Sequence, residues 1–218
     1  MEESFKLIAN YLPFFLKGAG YTIIISLLSI IFGTILGLFI GLGKMSPKWH
    51  IRTPFNWYVT FFRGTPLLVQ ILLIHAAVMP IFISPPNVFL SVVVALSLNA
   101  GAYIAEIFRA GIQSIDKGQM EAARTLGMTH RQAMRHIILP QASKRMIPPL
   151  GNEFIVLIKE SSLASVLALP ELMYWGRAMM AEYYKPWEPY LTVAFIYLLL
   201  TLGLAFILGK VERKFVAE

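Results

Sequence analysis

Read from the N-terminus, the chain alternates long apolar runs with short polar ones. Residues 1 to 17 place Phe5, Ile8, Leu12 and Phe15 at helical spacing, with Glu2, Glu3, Lys6 and Lys17 elsewhere. That pattern predicts an amphipathic helix lying in a membrane interface, bent at Pro13. A first span follows over about 19 to 42, long enough for a hydrocarbon core of roughly 30 Å. Along it Gly33, Gly37 and Gly41 recur every fourth residue, giving a nearly bare face that suits close helix packing inside the chain. A second span, about 55 to 79, is interrupted at Gly64-Thr65-Pro66, where proline predicts a kink or break. The third runs over about 88 to 108 and the fourth over about 146 to 169, with Pro148-Pro149 in its first turn. The fifth covers about 190 to 209. Residues 80 to 87 read as a short turn, and 170 to 189 as a loop whose Tyr174, Trp175, Tyr183, Tyr184 and Trp187 suit an interface. The expected fold is all-α: one polytopic membrane domain over residues 1–218, with five transmembrane helices, an N-terminal interfacial helix and one long loop.

That loop, 109 to 145, is the most polar insert. Gln119 to Leu126 is a helix-forming run that meets Gly127, a natural stop, and Arg131 to Leu139 is a second run that ends at Pro140. The shape predicted is helix, sharp turn, helix, held outside the bilayer. Ala122-Ala123 offers close approach to another surface and Glu121 gives it a charged edge. The segment reads as a docking knob; the plain alternative is an ordinary connection.

Composition agrees with the pattern. At 57% hydrophobic and 14% charged residues, with a mean hydropathy of +0.65, the chain is too apolar for an ordinary soluble domain. The net charge of +7 is unevenly placed. Segments 43–56, 109–145 and 209–218 hold thirteen Lys and Arg, against four on 1–19, 80–87 and 170–189. The positive-inside bias puts the N-terminus outside and the long loop and C-terminus in the cytoplasm. It also accounts for the basic charge without nucleic acid. With no cysteine in the sequence, disulfides, thiol catalysis and cysteine metal sites are excluded. The opening residues lack the basic start and small-residue cleavage site of a secretory signal.

Catalytic machinery is missing as well. Gly41-Leu42-Gly43-Lys44 lacks the Ser or Thr of a nucleotide loop. His50, His75, His130 and His136 are scattered, with no metal pattern, and no nucleophile, base and orienter assemble. The informative residues are ionisable or polar ones inside spans, each costly in lipid. Glu153 and Glu160 are seven apart on nearly one helix face, roughly 10 and 20 Å along the helix from Met146. Asn99, Tyr103 and Glu106 share a face of the third span, and Lys159 points about 100° away from Glu160. A polar chamber between spans two, three and four would use Glu153 and Glu160 for a cationic group and Asn99 and Tyr103 for polar atoms. Arg63 would meet a carboxylate, while Thr65 and Gln70 complete the set around the break. The alternative is that these charges pair internally and only stabilise packing. Excess carboxylate favours a basic amino acid such as arginine, lysine or histidine.

Two motifs carry a family resemblance. Glu121-Ala122-Ala123, Gly127 and then Ile137, Leu139 and Pro140 resemble the coupling-loop signature of permease subunits in ATP-binding-cassette importers. Phe62-Arg63-Gly64-Thr65-Pro66-Leu67-Leu68-Val69-Gln70 is similar to the polar amino-acid branch of that family, the histidine, glutamine and arginine permeases. The resemblance covers about Gly18 to Gly209. It implies a subunit of the bacterial plasma (inner) membrane with a second permease chain, either a copy or a sister subunit. It also implies two ATPase subunits that bind ATP and magnesium, and an external amino-acid-binding protein. No cofactor is expected in this chain. Glu121, Ala122, Ala123 and Gly127 would meet the ATPase, and a small polar amino acid would cross by alternating access. The rival reading is a transporter or channel working without ATP, which leaves the 121–140 pattern as coincidence.

Overall fold

In the computed structural model, residues 2–216 are described, with side chains over 4–215; the predicted roles of Glu2 and Glu3 lie outside the described side chains. The helices are α1 (Glu2–Lys44), α2 (Trp49–Gly64), α3 (Leu67–Leu73), α4 (Met79–Phe82), α5 (Val88–Gln113), α6 (Lys117–Thr125), α7 (His130–Ala133), α8 (Leu139–Glu160), α9 (Leu172–Tyr183) and α10 (Trp187–Val216). No strand occurs among the described residues. Helices α1, α5 and α10 are long and apolar enough to cross a membrane, and α2 with α3–α4 forms a fourth, broken candidate bent by 109°.

Helix α5 is the centre. Small side chains at Ala95, Ala100, Ala102 and Ala105 are fully buried and let neighbouring helices approach closely. Helix α1 answers with its glycines: a Cβ on Gly33 would lie 2.9 Å from Ala100 Cβ, and one on Gly37 2.7 Å from Ile104 Cγ2. The bare face therefore packs within the chain, as the fourfold spacing predicts.

The boundary between the interfacial helix (1–17) and the first span (19–42) does not exist as a break. One helix of 43 residues runs from Glu2 to Lys44 with Pro13 inside it. Tertiary packing overrides the proline, because Phe15 is fully buried against Leu172, Met179 and Val193 of α9 and α10. The loop expected at 170 to 189 contains α9 instead. Glu171 caps that helix, accepting from the Met173 and Tyr174 amides at 2.9 and 2.7 Å. It also accepts from the Tyr197 hydroxyl of α10 at 2.8 Å.

Prolines mislead in two further places. The run from Arg131 does not end at Pro140: α7 passes through a π turn, Met134–Ile138, directly into α8. The Leu139 amide reaches back five residues to the Met134 carbonyl, and Pro140 then sits in the first turn of α8, where an amide donor is not needed. The same device precedes Pro80, after a π turn at Ile74–Val78. Pro148 and Pro149 lie inside α8 rather than opening it.

Two measurements check this packing. Gly37→Leu should lower the folded yield and the detergent melting temperature sharply, whereas Gly20→Leu, which meets nothing within 4 Å, should leave both unchanged. Burial pushes the Glu171 carboxyl from 4.5 up to about 7, against the opposing hydrogen bonds from Met173, Tyr197 and Tyr174. Folding thus favours its protonated form, and the stability this contributes is complete below pH 4.5 and lost as pH rises through about 7. Melting curves should show a pH dependence over that window that Glu171→Gln flattens.

Candidate functional site

The break in the second span is built from one deficit. Pro66 has no amide, so the Phe62 carbonyl lacks its helical donor, and the chain at Thr65 is extended (φ −119°, ψ 148°) as residues before proline prefer. Side chains take the place of the missing amides. Thr65 Oγ1 donates to the Phe61 carbonyl at 2.8 Å. Gln70 Nε2 donates to the carbonyls of Phe62 and Thr65 at 2.9 and 3.0 Å, and Asn99 Nδ2 to Phe62 at 3.2 Å. Asn99 Nδ2 also bonds Gln70 Oε1 at 2.9 Å, joining α5 to the break. Thr65, Gln70 and Asn99 are therefore brought together, as expected, but their polar groups hold the bend. None of the three lines the neighbouring cavity.

That cavity, of about 570 Å³, lies between the end of α2, the second half of α5 and the first half of α8. Arg63, Tyr103 and Glu153 line it, together with Glu106, Arg145 and Asn152. The Arg63 guanidinium stands 5.2 Å from the centre of the Tyr103 ring. Glu153 is only 8% exposed, and among the described residues no ion pair or hydrogen bond reaches its carboxylate. Glu106 is compensated differently. It pairs with Lys44 at the end of α1 and accepts from Arg109 Nε and Nη2 at 2.9 and 2.8 Å. Glu160 is half-buried about two turns along α8 from Glu153 and is not part of the cavity lining. The chamber thus offers a deep, unpaired carboxylate with an arginine on the opposite wall.

The second candidate surface is the α6–α7 hairpin. Asp116 caps α6 by accepting from the Gly118 amide at 2.7 Å. Gly127 makes the turn with φ +85°, a conformation side chains resist, and a capping box of Thr129 with Gln132 starts α7. Glu121, Ala122 and Gly127 face outward, while Ala123 is buried inside the hairpin. Beneath it, Ile115, Ile138, Ala142 and Met146 form an apolar cluster that fixes the hairpin to α5 and α8. The sequence assigned no site role to Leu126, which is 83% exposed at the tip, or to the cavity residues Arg145 and Asn152. Their shared face, with Pro149 between them, follows from helical spacing once α8 is known to start at Leu139.

Residues 33–216 match the family described as binding-protein-dependent transport system inner membrane component. The chain is 39% identical over 218 residues to the arginine transport system permease protein ArtQ of Bacillus subtilis (strain 168), with 98% of each chain covered. It is 37% identical over 218 residues to the glutamine transport system permease protein GlnP of Escherichia coli (strain K12), again with 98% of each covered. The fold matches a crystal structure of an amino acid ABC transporter with histidines at a TM-score of 0.89 and 43% identity, covering 95% of this chain and 96% of that one.

The knot at the break makes a direct prediction. Gln70→Leu leaves buried carbonyls short of donors and should cost about 1–3 kcal/mol, read as a lower melting temperature in detergent. Thr65→Val, which loses the bond to Phe61 and the one Thr65 Oγ1 accepts from Gln70 but keeps the Gln70 donations to the Phe62 and Thr65 carbonyls, should cost less.

Proposed function

We infer the function from one premise: the chain belongs to the family of binding-protein-dependent transport system inner membrane components. Within it, the chain is an amino-acid ABC transporter permease. The proposal is that it translocates polar, basic L-amino acids (arginine, lysine or histidine) by alternating access, driven by separate ATPase subunits. The carrying observation is the Glu153 carboxylate, buried in the cavity wall without an ionic partner. A desolvated carboxylate of this kind is relieved by a cationic side chain and left unpaired by a neutral one. Arg63 across the cavity suits the substrate's α-carboxylate, with Tyr103 steadying the guanidinium, and Glu160 extends the acidic path beyond the cavity. Asn99, Thr65 and Gln70 shape that wall through the bend. Relatives include both an arginine and a glutamine system, so similarity leaves the side-chain charge to be decided by the site itself.

The assembly we propose has two permease chains, two ATPase subunits holding ATP and magnesium, and an external amino-acid-binding protein. The N-terminus is outside and the C-terminus cytoplasmic, on the strength of the Lys and Arg distribution. Glu121, Ala122, Leu126 and Gly127 of the hairpin would meet the ATPase, with Ala123 keeping the hairpin packed. Because the hairpin is fixed to α5 and α8, closure of the ATPase pair on ATP would move Tyr103 and Glu153 together.

Uptake into vesicles containing the copurified assembly tests both halves. Glu153→Gln should lower L-arginine uptake by about tenfold or more and spare L-glutamine; unchanged arginine affinity and selectivity would sink the substrate assignment. Gly127→Val should keep the assembly together but abolish arginine-stimulated ATP hydrolysis and accumulation alike. Accumulation that persists in that variant would favour transport without ATP.

A further inference from the structure

Two cavities between the first half of α1 and the start of α10 run into one another. One, of about 300 Å³, is bordered by Ser4, Phe5, Trp187 and Glu188. The other, of about 680 Å³, is walled by Leu12 and Leu16 of α1 and by Phe195 and Leu199 of α10, with Ala19 at its far end. Ile8, Leu191 and Thr192 border both, so the two make one groove. Its floor is the apolar cluster around Phe15, against which Ile8, Ile196 and Leu200 pack. Ser4 Oγ donates to Glu188 Oε1 at 2.9 Å and ties the two helices together at the mouth. The Thr192 hydroxyl is spent on the Glu188 carbonyl at 2.7 Å, so below the mouth the described lining is apolar.

The length and polarity of this groove match one lipid molecule. From Ser4 to Ala19 is about 22 Å along α1, and from Trp187 to Leu200 about 20 Å along α10. One bilayer leaflet, headgroup included, is about 20–22 Å thick. The groove thus runs the depth of one leaflet, polar at one end and apolar along the rest. Among the described residues, the one charge in its lining is Glu188, and Lys185 attracts that carboxylate from just before α10. The mouth therefore holds charge of both signs, with only the carboxylate facing the groove. An anionic headgroup would set its phosphate against Glu188 with no cation of its own, whereas an ammonium beside a phosphate answers both charges. We propose that the groove holds one zwitterionic phospholipid with a primary-ammonium headgroup, its ammonium on Glu188 and an acyl chain between Leu16 and Phe195. Bound there, the lipid fastens the start of α1 to α10, adding to the Ser4–Glu188 bond. The proposal goes beyond the importer reading and needs only that α1 and α10 cross the membrane.

Tryptophan fluorescence tests it, because bromine on a lipid chain quenches an indole that it touches. The whole assembly, carrying Phe195→Trp, is reconstituted in mixtures of phosphatidylethanolamine and phosphatidylglycerol with only one of the two brominated. The signal of the unsubstituted assembly is subtracted. Leu198→Trp, at nearly the same depth and 51% exposed outside the groove, reports ordinary surrounding lipid. The expected result is a preference for phosphatidylethanolamine of about fivefold at position 195, the size of one charge contact at a membrane surface, and none at 198. Adding Glu188→Gln, which still accepts from Ser4, should abolish the preference. An equal or reversed preference at 195, a preference that survives Glu188→Gln, or quenching at 198 but not at 195 (a protein segment in the groove) overturns the proposal. If Phe195→Trp fails to accumulate, Leu199→Trp reports the same groove with the same outcomes. Neither uptake nor ATP hydrolysis enters the readout, so a failed lipid site and a failed importer reading are told apart.

Discussion

A carbonyl in hydrocarbon has no water to turn to, and the carbonyl of Phe62 faces a proline four residues on. Much of the molecule's polar chemistry follows from that constraint. Gln70 and Asn99 reach the orphaned group from two helices, and the 109° bend becomes a fixed corner instead of a hinge. The π turns before Pro80 and Pro140 meet the same demand by shifting the hydrogen-bond register by one residue. At the far end, the buried Glu171 is tied to two amides and a tyrosine. Where the chain buries polarity, it nearly always supplies the partner.

Among the described residues, Ser26 and Ser29 of α1 and Trp175 of α9 are buried without a hydrogen-bond partner, and two acids of α8 lack an ion pair. Those acids are Glu153 and Glu160, while Glu106 nearby has two cations. A charge left bare in a low-dielectric setting is tolerable only if something outside the chain arrives to pair it. On the reading developed above, a substrate does so at Glu153. The same helix is anchored at its start to the α6–α7 hairpin through Ile138, Ala142 and Met146. Site and docking surface therefore share one rigid support, which is the mechanical requirement for coupling them.

The apolar runs, the break at Gly64-Thr65-Pro66, the close-packing glycines and the Gly127 turn were all legible in the sequence. Each depends on local chemistry: a period of 3.6, a missing amide, a missing side chain, a left-handed φ. The errors have one source. Pro13, Pro140 and Pro148-Pro149 read as bends or boundaries because local rules penalise proline within helices, and α9 read as a loop because its aromatic content suits an interface. Burial of Phe15 against Leu172 and Met179 reverses the first and last of these. Thr65, Gln70 and Asn99 do meet in the fold, but residue types alone do not distinguish groups that bind a ligand from groups that repair a backbone.

By itself, then, the order of residues determined which segments are apolar, where one of them must break, and which short pattern forms the α6–α7 hairpin. Tertiary structure decided which polar groups are already used. Hydrogen bonds and ion pairs such as Asn99 with Phe62, or Lys44 with Glu106, join residues tens of positions apart. Whether a buried charge is satisfied or waiting depends on those distant neighbours, a property of the packed helices that no local pattern encodes.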